Sequence, residues 1–514
     1  MLAAARATAA LRVTARKAAP RLLVPPAVAT TTLVITRNAA RCDDQLVVQK
    51  PPKLHLLRPD RFGVVVPHGG WRLWCLVTRR LARWLALFGP VACWAPAAYV
   101  LGLRRLRRLW FAHLLWATEA AGPTVTKLAQ WSATRRDVFP AAFCEHMERL
   151  QDAARPHGRL DSELALLDAL GAGWRNRVAI EPEPVGSGVV AQVHRGVYEG
   201  RRVAVKLVHP ATRRAVSEDL AVLAALARAA DGLAPSIAKF LDPVGLVDDF
   251  SEKMGRSSSM EFEADALRKL RKNFSREAGV AIPEPFLARR GALVESFEDG
   301  LPLAECLRAL EGAPEAKAAK RAIAARGLRA LLKMLFVDNC VHCDMHSGNL
   351  LVRPHGADVA ASVARGAFDL VILDAGLTLE LERRDLVNFV DLFAAVVRRD
   401  GRACGHLLLD RARYHECDDR DAFAADVDRL IKAATSASDA GLSVVTLGEL
   451  DIGRLLFEVL DVCRRHRVRL EAKFATTVVA ITIVEGIGRN LDPDLDLLRE
   501  AAPFLLSRAA LKAI

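Results

Sequence analysis

The sequence predicts an α+β chain of two lobes, a small β-rich lobe followed by a larger helical one, with a helical extension in front of both. Three observations predict it. A glycine-rich turn, Gly186-Ser187-Gly188, precedes a strand-like run ending Val203-Ala204-Val205-Lys206. Two further apolar runs each close on an acid: Val341-His342-Cys343-Asp344, with Asn349 after it, and Leu370-Val371-Ile372-Leu373-Asp374, followed by Ala375-Gly376. The segment after 301 is helical in pattern through Ile514.

Composition limits the alternatives. At 514 residues the chain exceeds one small core, and 52% apolar with 26% charged residues is a globular composition. The net charge of +13 is unevenly placed: Arg6, Arg12, Arg16, Lys17, Arg21, Arg37 and Arg41 precede the first acid, Asp43, which leaves +6 for the remainder. Residues 1–42 thus resemble a mitochondrial transit segment, and Arg and Pro break the apolar stretches that a secretory signal needs. With no dense basic stripe interleaved with aromatics in the rest, nucleic acid is not an expected partner. Of ten cysteines, Cys340 and Cys343 alone form a C-x-x-C, around His342. A zinc site needs four ligands, so these two are expected to pack as reduced thiols beneath the loop that carries Asp344.

The remaining elements follow in order. Residues 43–83, with Pro51-Pro52, Pro59, Pro67 and Gly69-Gly70, are expected as a linker. Residues 84–108 hold the twenty uncharged positions Trp84–Leu103 between arginine clusters, a length that rises ~30 Å as helix. A spanning helix is expected, or a hairpin lying on the membrane surface; arginine on both sides leaves orientation open. Residues 109–175 form the helical extension, interrupted at Gly122-Pro123, with Lys127 and Gln130 on one face of a helix start. Residues 176–300 form the small lobe and 301–514 the helical lobe. Phe474–Val484 is too short to span a bilayer, and Gly486-x-Gly488 is expected as a turn.

The chemistry these pieces suggest is phosphoryl transfer on a protein-kinase-like fold. Gly186 to Val193 fits G-x-G-x-x-A-x-V, in which glycines let backbone amides approach phosphate oxygens. Lys206 would then pair with the α- and β-phosphates of ATP. Asp344 and Asn349 keep a D-x-x-x-x-N spacing. One carboxylate, Asp344, serves the acceptor, while Asp374 and Asn349 offer magnesium hard oxygen ligands. The helix opening at Met260 could bring a carboxylate to Lys206. The strand Ala292–Gly300, with Glu295 and Phe297, lies where a hinge would hold adenine. After Asp374 there is little room for a peptide-docking segment, which argues against an ordinary protein kinase.

Together these motifs resemble the UbiB/aarF-domain atypical kinase-like family, most closely its mitochondrial branch, over roughly Leu109 to Leu506. Lys127-x-x-Gln130, with Ser132, Arg135, Asp137 and Pro140, is similar to the family's K-x-G-Q signature. Asp344-x-His346-x-Gly348-Asn349 resembles its D-x-H-P-G-N loop, Asp374-Ala375-Gly376 its metal-binding segment, and Leu470-Glu471-Ala472 to Asn490-Leu491-Asp492-Pro493 its C-terminal part. The resemblance implies Lys206 as the ATP lysine, Asp344 as the catalytic-loop acid, Asn349 and Asp374 as magnesium ligands, and Lys127 and Gln130 as a regulatory element over the site. It further implies an atypical kinase or ATPase acting on an isoprenoid quinone or another lipid. Such a protein would support coenzyme Q biosynthesis, with its enzymes as partners, at the matrix face of the mitochondrial inner membrane.

Four departures stand out. Ala129 replaces the signature's glycine, Ser347 replaces the loop proline, and Gly186-Ser187-Gly188 stands where the family is alanine-rich. The family's acids in E-L-D-x-x-x-E fall on Ser257, Ser259 and Glu263, so Glu263 is the expected partner of Lys206, with Glu261 or Glu252 as alternatives. The missing acids keep open a catalytically weak pseudokinase acting as an ATP-gated lipid-binding scaffold; a protein serine/threonine kinase is a further alternative.

Overall fold

The computed structural model describes residues 71–100, 104–133, 139–147, 150, 156–233, 242–289, 291–435, 452–470, 472–495, 500 and 504, all within one compact unit, Leu54–Ile514. The transit-like segment, Arg135, Asp137 and Glu471 lie outside the described residues.

The linker expectation is corrected from residue 71 onward, because α1 runs Trp71–Val100. Its arginines read as linker composition, yet they are anchors. Arg80 reaches Glu218 Oε2 at 3.0 Å and Asp219 Oδ1 at 3.3 Å, and Arg83 donates to Ala120 O at 2.7 Å. The uncharged stretch therefore does not begin an element, and α2 is separate, Arg104–Ala121. The two helices pack as a hairpin, with Trp110 Nε1 donating to Val91 O at 2.8 Å. Among the described residues no helix is long and apolar enough to cross a membrane. Gly122, at φ +116°, turns the chain into α3, Pro123–Ala133, with proline in the first helical position. Two shorter helices follow, α4 Ala141–Met147 and α5 Arg159–Leu170.

The small lobe is a five-stranded antiparallel sheet built from β1 Val178–Ser187, β2 Ala191–Tyr198, β3 Arg201–Val208, β5 Pro285–Arg289 and β6 Ala292–Ser296. Its order is β1-β2-β3-β6-β5. Glu199 and Gly200, both at positive φ, make the tight turn between β2 and β3. Strand alternation assigns the two faces. Val203, Val205 and Leu207 are fully buried in a core with Leu166, Trp174 and Val294, so Ala204 and Lys206 face the other way.

Between the sheet's third and later strands come α6 Pro210–Leu233, α7 Pro243–Ser257 and α8 Met260–Asn273. The second lobe contains a four-stranded sheet, in the order β4-β10-β9-β7, made of Val280–Ala281, Phe368–Ile372, Leu350–Pro354 and Leu301–Pro302. It also contains a short ladder of β8 Val341–His342 with β11 Thr378–Leu379. Around them lie α9 Leu303–Ala309, α10 Ala316–Phe336, α11 Val359–Ala364, α12 Arg383–Val397, α13 Gly401–Asp410, α14 Arg420–Thr435, α15 Ile452–Arg465 and α16 Ala472–Leu491. The main core joins Leu267 and Leu270 of α8 to Leu331 and Leu335 of α10, Val352, Leu370 and Ile481. Gly486-x-Gly488 is not a turn: both glycines lie inside α16. A helical glycine costs about 1 kcal/mol, and packing of α16 on α10 and α15 outweighs that.

Candidate active site

Strand register brings the expected residues together before any side chain is considered. Gly186 pairs with Val193, Val193 with Lys206 and Lys206 with Leu293, so the four form one row across the cleft face. Ala204 pairs with Glu295, which puts Glu295 on that same face two residues along β6. In the second lobe, Ile372 pairs with Leu350, placing Asp374 and Asn349 at one end of the β9–β10 ladder, and Leu373 N donates to Asn349 O at 2.9 Å. His342 pairs with Thr378, and Cys343 N donates to Leu377 O at 2.8 Å, which lays the Asp344 loop against the Asp374 segment.

Lys206 joins the lobes. Its Nζ lies 2.8 Å from Glu263 Oε1 and 3.0 Å from Asp374 Oδ2. Helical periodicity selects Glu263. Met260, Glu263, Ala264, Leu267 and Leu270 make the buried stripe of α8, whereas Glu261 is exposed and Glu252 pairs with Arg256 on α7. Ser259, in the place of a family acid, caps α8 by accepting from Phe262 N at 3.2 Å.

One ammonium thus faces three carboxylates, since Glu295 also acts on Lys206 electrostatically. Burial disfavours the Lys206 cation, but the charges of Asp374 and Glu263 prevail and hold its pKa above the ordinary lysine value. Burial raises Glu295, reinforced by the charge of Glu263, and burial likewise raises Glu263. Asp374 goes the other way. Desolvation opposes its charge, but Lys206 and the Gly376 N–H hold it well below the usual carboxylate range. Oε2 of Glu263 and Oε2 of Glu295 are buried without a hydrogen-bond partner.

The loop around Asp344 is fixed by His342, which is fully buried. Its Nε2 contacts Leu373 O at 3.0 Å, so Nε2–H donates there and Nδ1 accepts from Asp344 N at 3.2 Å. Read from sequence, His342 was only the residue between two cysteines. Those cysteines are free and buried, and burial pushes the Cys343 thiol up to about 12 and Cys340 to about 11. Asn349 Nδ2 donates to Asp344 O at 2.9 Å, which leaves its amide oxygen for a cation. Asp374 sits at φ +56°, a left-handed conformation that costs a non-glycine residue about 1 kcal/mol or more, stabilised by Gly376 N donating to its Oδ1 at 3.1 Å. Asp374, held ionised by Lys206, and Asn349 are hard oxygen donors at one end of the β9–β10 ladder, and that donor set fits magnesium.

The remaining expected residues are spread around this centre. Ser187, the last residue of β1, pairs with Gln192 and so lies on the face opposite Lys206, where its Oγ is buried without a hydrogen bond. Phe297 is flanked by the guanidinium groups of Arg195 and Arg202, 5.1 and 5.3 Å from its ring centre. Gln130 Nε2 donates to Leu150 O at 3.3 Å. Lys127 acts electrostatically on Lys253 of α7, a residue the sequence gave no reason to single out. Burial pulls the Lys253 ammonium below its ordinary value, with the charge of Asp344 working against it. Ala129 packs with Ala133, Met147 and Leu150, holding α3 against α4.

Comparison with known proteins agrees with this architecture. The ABC1 atypical kinase-like domain matches residues 149–408 and the UbiB helical domain residues 443–496. An ABC1 family protein of Schizosaccharomyces pombe, labelled mitochondrial, is 29% identical over 497 residues, covering 82% of this chain and 70% of that one. A mitochondrial ABC1 family protein of Saccharomyces cerevisiae is 29% identical over 453 residues, covering 77% and 68%. A protein of Aeromonas salmonicida named probable protein kinase UbiB is 26% identical over 399 residues, covering 77% and 69%. The α+β, two-lobed, kinase-like chain described above therefore belongs to the ABC1/UbiB atypical kinase family, with a UbiB helical domain behind its kinase-like domain.

Proposed function

We propose that the protein binds magnesium ATP against Lys206 and acts as an atypical kinase or ATPase of the mitochondrial inner membrane, supporting coenzyme Q or related lipid metabolism from the matrix side. The observation that carries this reading is the ion pairing of Lys206 with both Glu263 and Asp374. Glu263 holds the ammonium in place, and its charge meets phosphate oxygens as they replace the carboxylate of Asp374. The row Gly186–Val193–Lys206 brings the glycine turn over the same phosphates, while Glu295 and Phe297 line the nucleotide's far side. Asp344, one-third exposed, orients the acceptor hydroxyl or water and takes up its proton. Magnesium bound by Asp374 and Asn349 would supply positive charge at the phosphate oxygens.

Support for the setting comes from three sides. The two relatives from yeasts are labelled mitochondrial, and a bacterial relative carries the UbiB name. The α1–α2 hairpin exposes Trp71, Leu85, Leu109 and Trp116 beside Arg104, Arg105 and Arg108, a combination suited to the surface of an anionic bilayer. Lys127 and Gln130, in the extension, would regulate access to the site.

The test is ATP turnover with magnesium and liposomes for the native chain, Asp344→Asn and Asp374→Ala. Turnover should fall by roughly 10²–10⁴-fold in Asp344→Asn with nucleotide binding retained. Binding without turnover in all three would instead favour the ATP-gated scaffold. The specific observation behind that second reading is Ser259, which caps a helix where the family has a carboxylate. The protein serine/threonine kinase reading is weaker, because the chain passes from Asp374 into α12 at Arg383.

A further inference from the structure

The opposite face of the same sheet holds a second cluster. Gln192 and His194 of β2 pair with Leu207 and Val205, whose side chains fill the core on that face, and α5 packs over it. Between sheet and helix, His157, Ser162, Gln192, His194 and His209 form one connected network. His209 Nε2 contacts Gly188 O at 2.9 Å, His209 Nδ1 meets His157 Nδ1 at 2.6 Å, and His157 Nε2 meets Ser162 Oγ at 3.1 Å. Gln192 Nε2 lies 3.1 Å from Ser162 Oγ and 2.9 Å from His194 Nε2, and His194 Nδ1 contacts Glu181 O at 2.9 Å. Gln192, His194, Ser162 and His209 are all buried.

With one proton on each imidazole, the carbonyl oxygens at the two ends fix where each proton sits. Gly188 O can only accept, so His209 carries its proton on Nε2 and its Nδ1 is a lone pair. His157 must then donate from Nδ1 and accept at Nε2 from the Ser162 hydroxyl. Glu181 O can only accept, so His194 donates from Nδ1 and accepts at Nε2 from the Gln192 amide, which also donates to Ser162 Oγ. His157 N donates to Gln192 Oε1 at 2.8 Å. One arrangement satisfies every group with all three histidines neutral.

The network ends on the phosphate loop. Glu181 lies where the β1–β2 ladder skips from Ile180 to Pro184, so its carbonyl takes a side-chain donor, and Gly188 is the loop itself. The backbone N–H of His209 also holds Val190 O at 2.9 Å. Two carbonyl oxygens of the loop are thereby drawn back toward His209. A triphosphate is repelled by carbonyl oxygens and held by N–H groups, so turning the carbonyls back readies the loop for an anion.

We propose that this neutral network is a latch that sets the phosphate loop, with His209 and His157 as positioning residues for the nucleotide phosphates. The proposal rests on the reading that the loop holds a nucleotide. The experiment compares the full-length native chain with His209→Leu, His209→Gln and His157→Leu. Hydrogen exchange of amides 186–191 is measured without nucleotide, and magnesium with a fluorescent N-methylanthraniloyl ATP is titrated separately. In His209→Leu the loop amides should exchange faster, and the nucleotide should bind roughly tenfold more weakly, the loss of about one hydrogen bond. His209→Gln, which keeps one donor and one acceptor, should restore most of both. His157→Leu breaks the chain one bond further from the loop and should act in the same direction, which keeps the test open if His209→Leu does not fold. Unchanged exchange in the folded leucine variants would overturn the latch, and so would faster exchange with unaltered affinity. A native chain that takes up no nucleotide would overturn the reading beneath it, a failure told apart because the exchange arm is read with no nucleotide present.

Discussion

Two faces of one five-stranded sheet carry buried polar groups, and they are built in opposite ways. On the cleft face one ammonium, Lys206, meets three carboxylates, and an oxygen of Glu263 and another of Glu295 have no partner. On the reverse face, three histidines, a glutamine and a serine are neutral and mutually satisfied. Unpaired buried polar groups are costly, and in a cleft a ligand can complete them. Satisfied networks need nothing more and act as struts. On the proposed function, the difference separates the groups that would meet a ligand from those that would hold its seat.

The largest effect that would break this contrast comes from Lys206→Met. It leaves Glu263, Asp374 and Glu295 without their shared cation, and uncompensated buried charge of this kind costs about 3–5 kcal/mol. Glu263→Gln should cost within about 1 kcal/mol, because Asp374 still pairs Lys206 and the amide oxygen can still accept from its ammonium. Urea unfolding of the two variants checks this. Equal losses would mean that the cleft is a balanced ion-pair network like any other.

How much of this was legible in the chain differs between the same two faces. The cleft residues could be named from the chain, because Gly186, Lys206, Asp344, Asn349 and Asp374 stand in the order and spacing of kinase motifs. The choice of Glu263 over Glu261 was also recoverable, from the stripe of Met260, Ala264 and Leu267. The latch was not. Its histidines lie at 157, 194 and 209, one just before α5, one in β2 and one just past β3, and only strand register and helix packing bring them together. The boundary at α1 was misplaced for a related reason. Arg80 reads as a solvated charge until Glu218 and Asp219, well over a hundred residues away, are seen to receive it.

A smaller effect sharpens the comparison from the satisfied side. Ser162→Ala removes the hydroxyl that donates to His157 Nε2 and accepts from Gln192. It leaves the half-buried His157 Nε2 without its donor, while the buried Gln192 amide still has His157 O at 3.4 Å, a loss of about 1 kcal/mol. Because Ser162 touches nothing in the cleft, the urea midpoint should fall while the salt dependence of nucleotide binding, which reads the charges around Lys206, stays as in the native chain. A changed salt dependence would mean that the two clusters are electrically one.

The smallest effect is a matter of pH. Burial, with the neighbouring His209, lowers His157 from the ordinary 6.5 to about 4. The unfolded chain binds a proton at His157 below pH 6.5, whereas the folded chain resists it until about 4. The stability due to its neutral form is therefore complete above 6.5 and is lost as the pH falls from 6.5 through 4. His157→Asn keeps an N–H for His209 but cannot titrate. Between pH 7.5 and pH 5 the native chain should lose more of its melting temperature than His157→Asn does, since all other acid-sensitive groups are common to both. Parallel curves would mean that His157 protonates freely where it stands, and an imidazolium, with N–H on both nitrogens, could not accept from the Ser162 hydroxyl as the neutral network requires.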